Sequence, residues 1–124
     1  MTTSTVIANA GAMNQFVAAF SVSSKLTGQT YQCRFSHVWN AISTRHADTM
    51  DCKFFVDGRS TVIGLAHTAF IAFGERSGRS LTDREASYIG AQYLMERLEE
   101  EDERPLYDVS HEEVLALIEK LGIR

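Results

Sequence analysis

Apolar and polar residues alternate in residues 20–35, within the stretch 16–35 and around the short turn signal Thr27-Gly28. Alternation with a period of two is typical of half-buried antiparallel strands, and glycine supplies the positive φ that a tight turn needs. The pattern predicts a β-hairpin with a two-residue loop. In that register Val22 lies opposite Cys33, one face of the hairpin is mostly apolar and the other face is polar.

A second alternating stretch, Cys52–Leu65, surrounds Asp57-Gly58. This dipeptide is among the strongest short signals for a hairpin, because both central positions of the turn require positive φ. Apolar residues occur on both faces of the stretch. We therefore expect a second hairpin that is covered on both sides.

The two stretches correspond at an offset of thirty residues, which places His37 in line with His67. A helical pattern follows each histidine, over Ser36–Arg45 after the first hairpin and over His67–Ser77 after the second. Ser36 is a suitable N-cap for the first helix, and Gly78 is suited to end the second. The pattern therefore predicts two tandem ββα units. Duplication and two independent hairpins both remain open as explanations.

The last third of the chain shows two helix starts of the same kind. Thr82 with Glu85 and Ser110 with Glu113 are capping boxes, in which each side chain accepts a hydrogen bond from the other's backbone N–H. The first helix is predicted to run to about Glu101, before Pro105. The second is predicted to end at Gly122. The sequence thus ends in a pair of α-helices.

Together these elements predict one α+β domain over residues 1–124, built from two antiparallel β-hairpins, short helices and the C-terminal helical pair. Residues 1–12 are low in charge, and we expect them to form a flexible arm or a short edge strand. The sheet offers few strands for this chain length. A homodimer that completes the core is therefore expected.

Composition narrows the class of protein further. The chain is 44% apolar and 23% charged, which is typical of a globular domain. No stretch approaches the roughly 18 apolar residues of a membrane span, and no basic region precedes the first apolar residues. Two cysteines are too few for a typical disulfide framework. We expect a cytoplasmic protein with reduced thiols and no membrane partner.

Charge is distributed unevenly along the chain. Residues 1–80 have seven Lys/Arg and four Asp/Glu, a net +3, whereas residues 81–124 have five and twelve, a net −7. The acidic residues concentrate in the run Glu99, Glu100, Glu101, Asp102 and Glu103. Such a run would repel phosphate and lies at the helix end that disfavours acids, so we expect basic groups of this protein or of a partner beside it. We therefore do not expect nucleic acid as a partner.

Candidate catalytic chemistry is sparse. His37, His67, Cys33 and Cys52 fit no metal-ligand spacing, and the cysteines fall on apolar faces. We predict no metal, no cofactor and no cysteine nucleophile, and the two histidines are expected to bond local backbone. Trp39, Tyr31 and the phenylalanines are expected in the core. Glycine-rich nucleotide loops and common hydrolase motifs do not occur.

The best candidate for an anion site lies before the helix that begins at Thr82. Arg76 and Arg79 precede it, Ser80 and Thr82 offer hydroxyls, and helix N-termini present free N–H groups. The capping box already uses some of these N–H groups. An ordinary solvated turn between two helices is the alternative reading.

These observations favour a non-enzymatic accessory protein that binds another protein through the acidic surface Glu99–Glu103. The profile is typical of a small bacterial or phage inhibitor or regulator. The alternative is a protein that binds a small anionic, nucleotide-like ligand through Arg76 and Arg79.

Overall fold

The computed structural model describes residues 14–41 and 48–124. Within them the chain forms five strands and three helices. The strands and helices, in chain order, are β1 (Phe20–Ser23), β2 (Thr30–Ala41), β3 (Thr49–Val56), β4 (Arg59–Ala66), α1 (His67–Ser77), α2 (Asp83–Glu99), β5 (Leu106–Val109) and α3 (His111–Lys120). The fold is therefore α+β, as predicted. Residues 1–12, expected as an arm, lie outside the described residues.

The five strands form one mixed sheet in the order β1-β2-β3-β4-β5. The first four strands pair antiparallel, and β5 pairs parallel with β4. A parallel neighbour needs a long crossover. Helices α1 and α2 provide it between β4 and β5.

The register predicted for the first hairpin is wrong by two residues. Val22 lies opposite Tyr31, and Phe20 lies opposite Cys33. The chain between the strands spans residues 24–29, with the Ser24 N–H donating to the Gln29 carbonyl at 2.7 Å. A shift of two keeps every side chain on its face, so the apolar face was still assigned correctly.

Strands β3 and β4 meet with Val56 opposite Arg59, across the two-residue turn Asp57-Gly58. Both turn residues have positive φ, 50° and 81°. Helix α1 then begins at His67, and Gly78 ends it in the left-handed conformation.

The helix predicted over Ser36–Arg45 is wrong for Ser36–Ala41, which belong to β2. Residues 42–47 lie outside the described residues. The backbone of this part of β2 pairs with β3 from His37 opposite Lys53 to Ala41 opposite Thr49. The backbone pairing of β2 with β3 therefore outweighs the helical spacing of the apolar residues and the suitability of Ser36 as an N-cap. No helix follows the first hairpin within residues 36–41, and the tandem ββα reading fails there.

Both predicted capping boxes are present, at Thr82–Glu85 and Ser110–Glu113. Helix α2 ends at Glu99, slightly before the predicted end. The two C-terminal helices are not a continuous pair, because β5 lies between them and was not predicted. β5 has only four residues, with the alternation exposed, buried, exposed, buried. So short a pattern is easily missed beside Pro105.

All three helices contribute to a single core with one face of the sheet. Residues of the core come from alternate strand positions and from the inner sides of the helices, among them Cys52, Phe54, Ile63, Leu65, Phe73, Ile89, Leu94, Val114 and Ile118. Helix α2 packs directly against the sheet at Gly90. A Cβ built there would lie 3.1 Å from Cys52 Cβ and 3.2 Å from Phe54 Cε1. A residue without a side chain is therefore needed at this contact.

We expect Gly90→Ala to lower the free energy of unfolding by about 1–3 kcal/mol, because Cys52 and Phe54 are fully buried and cannot move aside. Gly74→Ala is the matched control, since its Cβ would meet only the Arg79 carbonyl oxygen, at 3.5 Å. The control should be neutral or stabilising through helix propensity. Urea unfolding of both variants measures this, and equal effects would contradict the close packing.

Candidate functional site

A β-bulge in β2 decides which side chains face away from the helices. The pairing of β2 with β3 shifts register between Phe35 and His37, so Ser36 is an extra residue. Before the bulge, Arg34 points outward and Phe35 inward. After it, His37 and Trp39 point outward and Val38 packs against the core. Without the extra residue, His37 and Trp39 would fall on the inner face.

We call the outward-facing residues Arg34, His37, Trp39, Lys53 and Phe55 the open face. In register, Arg34 lies opposite Phe55, and His37 lies opposite Lys53. No described helix covers these side chains, since the helices contribute to the core on the other side of the sheet. Trp39 is 37% exposed, so its expected place in the core is wrong.

Aromatic rings and cations alternate across the open face. The His37 and Trp39 rings stack with their centroids 4.9 Å apart. The Arg34 guanidinium lies 4.3 Å from the Phe55 ring centroid, and the Lys53 ammonium lies 5.2 Å from the same centroid. Each such cation–π contact contributes about 0.5–1 kcal/mol at an exposed site. Two cations thus share one ring.

Neither of these two cations is paired with a carboxylate among the described residues. The salt bridges of those residues join other cations to acids: Lys25 to Glu99, Arg59 to Asp57 and Glu103, Arg79 to Glu85, Arg104 to Asp102, and Lys120 to Glu96. Arg34 and Lys53 therefore form the positive part of the sheet surface that the described acids leave without a counter-charge.

The opposite end of the same sheet surface is acidic. Asp51 on β3 lies opposite Trp39 on one side and Gly64 on the other. Gly64 in turn lies opposite Asp108 on β5. Asp51 is only 4% exposed and accepts a hydrogen bond from the Thr49 hydroxyl at 2.5 Å. The positive end, at Arg34 and Lys53, is therefore the part that would attract an anionic group.

A depression of about 440 Å³ lies at the positive end of the open face. Arg34 and Phe55 line it together with Gln32, Asp57 and Gly58. Its walls are mostly apolar. The depression has room for a single large side chain of a partner.

The acidic run begins at the last residue of α2, Glu99, and packs against two loops of the sheet. The Glu101 carboxylate accepts hydrogen bonds from the Ser24 and Thr27 hydroxyls, both at 2.5 Å. Both hydrogen bonds lower the pKa of Glu101 below its ordinary value, and the bond from Ser24 has the larger effect. Glu103 accepts from the Arg59 guanidinium at 2.6 Å and 2.8 Å.

Two other acids of the run are also paired. Glu99 lies 3.5 Å from the Lys25 ammonium, and Asp102 accepts from Arg104 at 2.8 Å. The side chain of Glu100 is exposed and forms no bond within residues 14–41 and 48–124. The basic groups expected beside this run are thus supplied largely by the protein itself, and the unfavourable position at the helix end is compensated internally.

The residues of the predicted anion site do not form one open site. All five N–H groups of the Arg79 guanidinium are used, by both Glu85 oxygens and by the carbonyl oxygens of Ser80 and Arg124. The Thr82 hydroxyl is in the capping box. The Arg76 guanidinium lies over the Phe73 ring, as does that of Arg79, and Arg76 lines a depression of about 470 Å³ together with Glu119. The Glu85 carboxylate thus occupies the position that an external anion would need.

The two cysteines are free and buried, in the apolar places predicted for them. Burial raises the pKa of the Cys33 thiol to about 12 and also raises the pKa of Cys52. His37 lies within a strand and bonds the Ser36 hydroxyl at 2.9 Å, while His67 starts α1. Among the described residues, no group of three or more His, Cys, Asp or Glu side chains is placed to hold a metal ion.

The sequence reading missed the open face because it placed Trp39 and His37 on a helix. The signal that could have found them is the polar pair Ser36-His37 between the apolar residues Phe35 and Val38. A break of this kind in a period of two indicates a bulge.

Comparison with known protein families gives no match for this chain. Curated proteins and solved structures also give no match. No described helix is long and apolar enough to span a bilayer.

The Arg79–Glu85 pair predicts a pH-dependent stability. Burial acts to raise the pKa of Glu85, but hydrogen bonds from Arg79 and Thr82 outweigh it, and the pKa is lowered. A lowered pKa gives stability that is present above the unfolded-state value and is lost as pH falls through the folded-state value. We expect Glu85→Gln to reduce the free energy of unfolding by about 1–3 kcal/mol at neutral pH and by much less near about pH 3.

Urea unfolding at the two pH values measures this difference, with the exposed Glu112→Gln as control. A deficit of the same size at both values would contradict the role of the charged carboxylate.

The raised thiol pKa values predict unreactive cysteines. We expect a disulfide-exchange reagent to modify neither Cys33 nor Cys52 in the folded protein and both in denaturant, because a protonated, buried thiol is a poor nucleophile. Rapid modification of either thiol in the folded protein would show that the burial is wrong.

Proposed function

We propose that this protein is a non-enzymatic binding protein, that its partner is another protein, and that the open face is its binding surface. One observation supports this most: Trp39 is exposed on the sheet face that also presents Arg34 and Lys53 without a carboxylate counter-charge from the described residues. Trp and Arg are enriched among the residues that dominate protein interfaces.

The partner surface that fits is acidic. Arg34 and Lys53 approach the same Phe55 ring and therefore repel each other. A partner carboxylate between them would remove that repulsion and form charge-assisted hydrogen bonds with the guanidinium. The depression beside Arg34 and Phe55 would accept a neighbouring apolar side chain of the partner.

This proposal moves the binding surface away from the acidic run. Four of its five carboxylates already bond to this protein's own residues, so only Glu100 is available to a partner without loss of an internal contact. Binding of an anionic ligand at Arg79 is not favoured, because that guanidinium has no unused N–H. A cytoplasmic bacterial or phage accessory role remains part of the proposal and is consistent with two free, buried thiols.

The test is affinity capture with the full chain, followed by mass spectrometry and a measured Kd for the captured protein. We expect Trp39→Ala to weaken binding roughly 30-fold, because truncation of an interface tryptophan commonly costs at least about 2 kcal/mol. The double variant Arg34→Glu/Lys53→Glu should weaken binding most at low salt, where the attraction is least screened.

Two charge-reversal controls address the other surfaces. Arg76→Glu tests the depression beside α1, and Glu100→Lys tests the exposed acid of the acidic run. Both should bind like the unmodified chain. Loss of binding in either control, with normal binding by Trp39→Ala, would contradict the proposal. Thermal unfolding of each variant separates lost binding from lost folding.

A further inference from the structure

The second half of β2 has a neighbour on one side only. Strand β1 pairs with Thr30–Cys33, whereas β3 pairs with β2 as far as Ala41. Within the part of the chain that the structure describes, no strand pairs with the other side of His37–Ala41. We call this five-residue segment the free edge.

Among the residues before β1, the described ones, 14–19, form no strand beside the free edge. The Val17 N–H donates to the Ser87 hydroxyl on α2 at 3.1 Å, and the Phe16 ring stacks on Phe35 with centroids 5.3 Å apart. Phe16 thus contacts β2 through its side chain, but backbone pairing with β2 begins only at Phe20. In an antiparallel pair alternate residues direct both N–H and C=O to the same side, so about two or three residues of the free edge present these groups outward.

We propose that an extended acidic segment of the partner protein adds to the sheet as a strand along His37–Ala41, with alternate side chains lying across the open face. This inference rests on the proposed function and names the form in which the partner binds. The added strand would lie about 4.8 Å from β2 and about 9.6 Å from β3, a distance that a long acidic side chain beside His37 and the Lys53 side chain can span between them. Arg34 lies on β2 itself, three residues before His37. An apolar side chain beside Trp39 packs on its ring.

Two features favour a peptide over other occupants. A polypeptide backbone supplies both N–H donors and C=O acceptors at the spacing of the free edge, whereas a nucleic acid backbone supplies no matching donors. A second copy of the chain that added its own free edge would bring no acidic side chain to Arg34 and Lys53, because His37–Ala41 contains none. The cations of the open face complement an acidic segment instead.

The experiment uses the full chain and a displayed library of random 12-residue peptides. We expect enriched peptides in which acidic and apolar residues occur at alternate positions. Each position of the best peptide is then N-methylated in turn, since methylation removes one backbone donor. Affinity should fall about tenfold at every second position and change less than about twofold at the intervening ones. Amide exchange should slow at His37–Ala41 in the complex.

Other results would overturn the inference. Equal effects of N-methylation at all positions would exclude strand addition. Enrichment of basic or uncharged peptides would show that binding does not depend on acidic side chains beside Arg34 and Lys53. Displacement of the peptide by a mixed-sequence single-stranded oligodeoxynucleotide would favour nucleic acid. Protection of the free edge that increases with protein concentration, without peptide, would favour a second copy.

Different results would contradict the strand-addition inference and the proposed binding surface. If Trp39→Ala abolishes capture of the cellular partner but no library peptide shows the alternating effect of N-methylation, the open face binds and strand addition is wrong. If Trp39→Ala leaves capture unchanged, the proposed binding surface itself is wrong.

Discussion

The close approach of α2 to β3 at Gly90 is the contact on which the arrangement of the other elements depends. It brings the helix backbone against Cys52 and Phe54, and the Cys52 thiol donates to the Ala86 carbonyl at 3.5 Å. Helices α1 and α3 then complete the same core from the same side of the sheet. The inner face is thereby filled, and the side chains on the other face of β2 and β3 have no described helix over them.

Charge pairing explains why the acidic end of the chain is not the obvious binding surface. The acids after α2 join the β1–β2 loop through Ser24 and the β3–β4 turn through Arg59. Tyr107 adds to this, since its hydroxyl donates to the Asp102 carbonyl at 2.6 Å. The acidic run, which the sequence suggested as a binding surface, thus holds the end of α2 against the β1–β2 loop and the β3–β4 turn. On the sheet face away from the helices, Arg34 and Lys53 are left without a described carboxylate partner.

Local signals predicted much of the fold. The capping boxes at Thr82 and Ser110 and the turn at Asp57-Gly58 each depend on a few adjacent residues, and each appears in the structure. The first hairpin register was wrong because Gly28 lies inside a longer loop, whose Ser24 is held by Glu101, a residue distant in sequence. The strand at Trp39 depends on pairing with β3, and its local sign, the polar pair Ser36-His37 between apolar residues, also fits the start of a helix. The site was missed for that same reason.

The most direct test of the account is hydrogen–deuterium exchange of the full chain, alone and bound to its captured partner. The account predicts slower exchange at His37–Ala41 and Lys53–Phe55 in the complex, with Glu99–Glu103 unchanged. Slower exchange confined to Glu99–Glu103, or to the residues around Arg76, would contradict the assignment of the open face as the binding surface.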